Sequence, residues 1–369
     1  MNRIVRLTLA ATLAAAAVLA QAPGRRKRTV GDAEVMRVHR SAILIDTHND
    51  ITGATIGGLD IGQPNTDRMT DLPRMKKGGM GAQFFAAYVA AGYVEGNHAA
   101  NRALQMIDTV RHDIIEKYPN DFLFATTAAD IRRAHQRHKI AALLGIEGGH
   151  AIEDSLRLLR RYYDLGVRYM TLTHANSNHW ADSSGDSNQP NHGLSPFGKE
   201  VVAEMNRLGM MVDISHVSDK TFWDALEVSK APIFASHSSC RALAPAPRNM
   251  TDEMIAALAK KGGVVQINFS CDFLTAANPR ATLADVVQHI DHVVAIGGVG
   301  AVGLGSDFDG ISCAPVGLDS VDKWPNLTRA LLEEGYTAAE IRKIYGENTL
   351  RLMAEVERVA FNQRRKRVQ

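Results

Sequence analysis

Apolar residues along this chain fall into two alternating patterns. Short β-type runs occur at Ile43–Ile45, Ala82–Val89, Ile140–Ile146, Tyr169–Thr173, Met210–Ile214, Pro232–Ala235, Val264–Phe269 and Ala301–Leu304. Several are almost continuously apolar, as expected of parallel strands buried on both faces. Between them, apolar positions recur three and four residues apart. Ala103–Glu116 shows this with Leu104, Ile107, Val110 and Ile114. Leu156–Leu165, Gly198–Leu208, Lys220–Val228, Asp252–Lys260 and Leu283–Ala295 read the same way. Ser218 is placed to cap Lys220–Val228, and Thr337 with Glu340 fits a capping box ahead of the C-terminal helices. Gly209, Gly262 with Gly263, and Gly297 with Gly298 are expected to end helices. Gly346 is expected to separate Tyr345 from a last helix at Glu347–Val359.

Eight strands alternating with helices predict a (β/α)8 barrel of the TIM type. A doubly wound open sheet is the rival, but no G-x-G-x-x-G follows the first strand, which lowers a dinucleotide-binding version of it. The pattern gives one barrel domain over residues 34–360, with a linker at 23–33 before it and a basic tail at 361–369 after it.

Composition narrows the class. The chain has 369 residues, 45% hydrophobic and 22% charged, which suits a globular domain of barrel size. A formal net charge of +2 gives no reason to expect a nucleic-acid partner. Arg25-Arg26-Lys27-Arg28 and Arg364-Arg365-Lys366-Arg367 are expected to be solvated tails. Arg3 and Arg6, the small-residue apolar run Thr8 to Ala20 and the A-x-A pattern at Ala20-Gln21-Ala22 read as an export signal over residues 1–22. Pro23 directly after the site is a poor cleavage context, so an uncleaved N-terminal anchor is the alternative. A periplasmic or secreted protein is expected. Three cysteines, Cys240, Cys271 and Cys313, make no disulfide scaffold and no C-x-x-C zinc site, and they leave at least one thiol unpaired within the monomer.

In a barrel, chemistry collects at the carboxyl ends of the strands. The first strand runs into His48 and Asp50, two residues apart and therefore on one side of it. The third ends in Glu147 followed by Gly148, Gly149 and His150. The fourth ends in His174, the fifth in His216, the sixth in His237 and the eighth in Asp307 and Asp309. Six strand ends with a histidine or carboxylate at one mouth point to a metal centre. His216 and His237 are one βα repeat apart and would share one ion. The two oxygens of Glu147 can join two cations, and its flanking glycines would let a ligand approach. A consistent site has two metals, one held by His48, Asp50 and Glu147, the other by Glu147, His216 and His237. Zinc suits this imidazole-rich set, with manganese or cobalt as alternatives. Two such ions share a water and lower its pKa, giving a bridging hydroxide at neutral pH. Asp307 is then placed to move a proton from that water to the leaving group. His174 is placed to hydrogen-bond the oxyanion of a tetrahedral intermediate. Arg248 offers a guanidinium for a substrate carboxylate, or is a surface arginine. Asp46, His150, Asp213 and Asp309 are candidates for orienting the ligand histidines. His179 and Trp180, in the polar loop 176–191, are expected to be loop residues.

These residues resemble those of the membrane (renal-type) dipeptidase family within the amidohydrolase barrel superfamily. The resemblance is carried by Asp46-Thr47-His48-Asn49-Asp50, Ile146-Glu147-Gly148-Gly149-His150, Leu172-Thr173-His174, Ser215-His216-Val217-Ser218, Ser236-His237-Ser238-Ser239, Arg248-Asn249 and Ser306-Asp307-Phe308-Asp309-Gly310. It spans about residues 35 to 355. It implies a zinc-dependent dipeptidase with two zinc ions per chain, held by His48, Asp50, Glu147, His216 and His237 and bridged by Glu147. It implies catalytic roles for His174 and Asp307, and makes His174, Arg248 and Asp307 the contacts to a dipeptide substrate. Some members of the family open β-lactam rings. The C-terminal residues here show no hydrophobic tail for a lipid anchor. The rival enzymes, lactonases, phosphotriesterases or deaminases on the same barrel, often bridge their metals through a modified lysine, and none stands at these strand ends. A catalytically silent exported binding protein is the rival of another class. A homodimer is the default assembly for such barrels.

Overall fold

A computed structural model describes residues 25–276 and 280–366; the expected export signal lies outside them. Among the described residues there are nine parallel strands: β1 (Leu44–Asn49), β2 (Met80–Tyr88), β3 (Phe122–Phe124), β4 (Ile140–Glu147), β5 (Val167–Thr171), β6 (Met211–Asp213), β7 (Phe234–Ser238), β8 (Val264–Ile267) and β9 (Val302–Leu304). Eight of them run side by side in the order β1-β2-β4-β5-β6-β7-β8-β9, and β3 pairs with the flank of β4. The ring closes just past the last strand, where Asp307 N donates to His48 O (3.1 Å) and Asp50 N donates to Phe308 O (2.9 Å). This is the expected (β/α)8 barrel, with all eight expected strands and one short extra strand. β3 escapes the apolar pattern because three residues are too few to show a period.

The strands have two apolar faces, as their sequences require. Leu44, Phe85, Leu144 and Val265 pack outward with the helices. Ile45, Phe84, Leu143, Tyr169 and Phe234 pack inward with Leu350, Met353 and Val356 of the C-terminal helix, which closes one end of the barrel. A row of rings crosses this interior, Phe84 to Tyr169 at 5.4 Å and Tyr169 to Phe234 at 5.5 Å. Such pairs add about 0.5–1.5 kcal/mol each beyond burial. The row also fixes the height of the Tyr169 hydroxyl.

Several helix expectations hold. Ser218 caps Asp219–Val228 through Thr221 N, and the capping box at Thr337 and Glu340 is formed. Gly346 is a correction. It does not end a helix: the chain passes through a π-helical turn at Lys343–Glu347 straight into Asn348–Lys366. A Cβ there would lie 2.2 Å from Ile43 O, so the glycine serves close packing on the start of β1. The expected helix Ala103–Glu116 is α-helical over Ala99–Thr109 and π-helical over Val110–Glu116.

The basic cluster at 25–28 is not a solvated tail. Arg25 pairs with Glu340 (3.2 Å) and lies over the Tyr336 ring, Lys27 pairs with Glu334 (2.7 Å), and Arg28 pairs with Glu34 (2.7 Å). A helix, Asp32–Arg40, begins inside the stretch expected as linker. Cys271 and Cys313 form a disulfide, and Cys240 is a buried free thiol. No helix among the described residues is long and apolar enough to cross a membrane.

Candidate metal centre

The barrel mouth gathers the expected residues from seven segments. His48 and Asp50 leave the end of β1 together, with His48 Nε2 3.2 Å from Asp50 Oδ2. Glu147 ends β4 with its two oxygens facing different groups. Its Oε2 is 3.5 Å from His48 Nε2, while its Oε1 is 2.9 Å from His216 Nε2 and 3.3 Å from His237 Nε2. The donor atoms of His48, Asp50 and Glu147 lie within 4.8 Å of one another, and so do those of Glu147, His216 and His237. A third such group joins His48, His237 and Asp307.

His174 Nε2 is 3.8 Å from Glu147 Oε1, and its ring stacks on His216 at 4.4 Å. Asp307 Oδ1 is 3.9 Å from His48 Nε2, and its Oδ2 accepts from Asn268 Nδ2 (2.8 Å). Arg248 stands at the edge of the cluster. Its guanidinium donates to His237 O (3.1 Å) and Ser238 Oγ (3.3 Å) and lies over the Phe273 ring. A cavity of about 470 Å³ opens over Asp50, Glu147, His174, His216 and Asp307, with Tyr88 and Phe273 on its walls.

Strained backbone aims these groups. His216, Asp307 and Asp309 have φ of 66°, 62° and 68°, in the left-handed region that non-glycine residues enter at a cost. Gly310 keeps the space clear, since a Cβ there would lie 2.3 Å from Asp50 Oδ2 and 2.7 Å from Asp307 Oδ1.

A layer beneath the cluster orients it. Asp213 Oδ2 accepts from Ser236 Oγ (2.6 Å), and Ser236 Oγ is 2.7 Å from His237 Nδ1. The serine proton goes to the carboxylate, so His237 Nδ1 carries the other proton and Nε2 keeps its lone pair towards Glu147. Asp213 thus orients His237 through Ser236. Asp46 bonds to Ser306 N, Ser306 Oγ and His48 N instead of to a ring, tying the ends of β1 and β9. His150 does not face the cluster: its Nε2 meets Val89 O (2.8 Å). Asp309 Oδ1 accepts from Met69 N. Gly149 makes room for the fully buried Trp180, not for a ligand; a Cβ would lie 2.6 Å from that ring. His179 is exposed and paired with Asp154.

Three residues escape the sequence reading. Tyr169 OH is 2.8 Å from His48 Nδ1. Asn268, just past β8, anchors Asp307. Tyr88, at the end of β2, packs on His174 at 4.7 Å. The last two fill the two strand ends that showed no histidine or acid. The available signal was a polar residue within an apolar run, as at Asn268 in Val264–Phe269.

Charge bears on what the cluster can hold. Asp50, Glu147 and Asp307 are brought together with no lysine or arginine within 4 Å among the described residues. Three carboxylates in so small a volume repel one another, which a bound cation or a held proton relieves. His48 Nε2 is buried and, though within 4 Å of three carboxylates, lies outside hydrogen-bonding geometry to any group. Burial, and then the neighbouring cation Arg248, hold His216 well below the ordinary imidazole pKa. Burial and then His48 do the same for His237, so both rings are neutral and ligand-competent. Burial, opposed by His48 and reinforced by Asp50 and Glu147, pushes the Asp307 carboxyl up to about 8, and a divalent ion bound beside it would bring that back down and leave it ionised as a proton acceptor. The donor set of imidazoles and carboxylates fits two divalent ions of borderline softness.

The chain is similar to known proteins. A family model described as membrane dipeptidase (peptidase family M19) matches residues 32–367. Among solved structures, the probable dipeptidase PvdM from Pseudomonas aeruginosa superposes with a TM-score of 0.84 at 24% identity, over 89% of this chain and 99% of that one. A metallopeptidase from Rhodobacter sphaeroides, liganded with a phosphinate mimic of the dipeptide L-Ala-D-Ala, gives 0.77 at 28%, over 85% and 99%. The dipeptidase AC, a metallopeptidase of family M19, gives 0.80 at 29%, over 85% and 98%. The first likeness bears on the fold alone.

Proposed function

The chain belongs to the membrane dipeptidase family, and from that premise we propose that it is an exported dipeptidase working with two zinc ions. The observation that carries this is Glu147, whose two oxygens face two separate donor groups. His48, Asp50 and Glu147 would hold one ion, and Glu147, His216 and His237 the other. When bound, the pair supplies a water of lowered pKa as nucleophile and polarises the scissile carbonyl.

The chain's own groups do the rest. Arg248 binds the free carboxylate of the dipeptide and so sets the position of the peptide bond. His174, held between Tyr88 and His216, donates a hydrogen bond from Nε2 to the oxyanion as the carbonyl carbon becomes tetrahedral. Asp307, anchored by Asn268, takes the proton of the attacking water and gives it to the departing amine as the C–N bond breaks. One water is consumed, and two amino acids leave.

The test is a hydrolysis screen over L-L and L-D dipeptides, with lactones as the contrast, on zinc-loaded protein. Dipeptides should be cleaved and lactones left. Asp307→Asn should keep both metals and lose about 10²–10⁴-fold in kcat. Near-normal turnover in that variant excludes the proton role, and lactone cleavage without dipeptide cleavage excludes the function.

A further inference from the structure

Among the described residues, the cavity has one charged wall residue that neither the reaction nor a hydrogen bond uses. Asp50, Glu147 and Asp307 face the cation cluster, and Asp309 is tied to Met69 N. Asp272 also lines the cavity, is exposed to it, and has no ion pair or hydrogen bond to its carboxylate among the described residues. It rides on the short helix Cys271–Leu274. That helix is pinned at the cavity wall. Cys271 is bridged to Cys313 and its N–H donates to Cys313 O (3.0 Å), while Ile311 and Ser312 form the adjoining wall. The carboxylate is therefore presented from a stapled wall, not from a free loop.

Its neighbour locates it relative to the substrate. Phe273, next in the chain, lies under the Arg248 guanidinium at 5.2 Å. Arg248 is the group proposed above to hold the dipeptide's free carboxylate. The side chain nearest Asp272 is then that of the C-terminal residue. We propose that Asp272 is a specificity-determining residue that favours dipeptides with a cationic C-terminal side chain and disfavours acidic ones. This rests on the dipeptidase reading and names the substrate class within it. The walls suit such a side chain: Phe273 and Ile311 cover its methylenes, and Asp272 meets its charged head.

The experiment compares L-Ala-L-Lys, L-Ala-L-norleucine and L-Ala-L-Glu on the zinc-loaded full chain. Lysine and norleucine have stems of similar length and differ in charge. The wild type should favour the lysine dipeptide over the norleucine one by about fivefold in kcat/KM, the scale of one exposed charge pair. Asp272→Asn should level the two, and Asp272→Lys should place the glutamate dipeptide first. Equilibrium binding of free L-lysine against L-norleucine should show the same order without turnover. A wild type that cleaves all three alike overturns the inference and leaves the dipeptidase reading standing. So does an Asp272→Asn loss that is equal for all three, which would mark an anchor for the common ammonium group. No cleavage of any dipeptide overturns both.

Discussion

Ser236 settles a question that no single ligand residue answers: which nitrogen of His237 is free. Its hydroxyl proton goes to Asp213, the imidazole Nδ1 proton comes to its oxygen, and Nε2 is left with a lone pair. Ser236→Ala should therefore lower zinc affinity by about 10–100-fold in chelator competition, with Ser236→Thr restoring it. Unchanged affinity in the alanine variant would show that the ring needs no such partner. At this scale the sequence was legible wherever a histidine or carboxylate ended a strand. His48, Asp50, Glu147, His174, His216, His237 and Asp307 all stand at the mouth. The supporting hydroxyls were not legible. Tyr169 reads as an ordinary strand aromatic until the barrel closes and brings it under His48 from 121 positions away. His150 misled because it follows Glu147 closely in the chain, whereas the turn after β4 carries it away to Val89.

Elements were read well where their periodicity ran long and poorly where a residue had two meanings. A glycine between two helical runs reads as a stop, yet Gly346 is there because the helix must approach Ile43 and Ile45 closely. Only the packed partner distinguishes these cases. The cysteines behaved similarly: their number excluded a scaffold but not a single bridge. Cys271 and Cys313 are 42 residues apart and join the helix after β8 to the loop after β9. Closing a loop of that size stabilises by up to about 4 kcal/mol. Replacing both cysteines by serine should lower the thermal midpoint while leaving the metal content intact. An unchanged midpoint would mean that the two loops are held by other contacts, such as Cys271 N to Cys313 O.

Across the whole molecule, the barrel mouth and the outer shell are physically separate, and pH should act on them separately. His39 lies in the outer shell, where its Nδ1 meets Thr328 Oγ1 (2.8 Å) and its Nε2 meets Gly78 O (2.9 Å). Burial lowers its pKa, only partly opposed by the hydrogen bond to Gly78, so the ring is neutral in the folded chain. The unfolded chain binds the extra proton first. The stability from this ring is thus complete above about pH 6.5 and is lost as pH falls from there towards the lower folded value. His39→Gln should flatten the fall in unfolding midpoint over that interval, and an identical slope in both proteins would refute it. The barrel itself was legible because its strands are buried on both faces and cannot hide their apolar runs. The anchoring of residues 25–28 was not, since a basic run meets its acids, Glu334 and Glu340, only in three dimensions. The central claim is that Glu147 joins two cations at the mouth of this barrel. Anomalous diffraction at the zinc edge from crystals of the zinc-loaded protein tests it directly. The account predicts two peaks about 3.5–4 Å apart, one beside His48 and Asp50, one beside His216 and His237, with Glu147 between them; a single peak, or none among these residues, would contradict it.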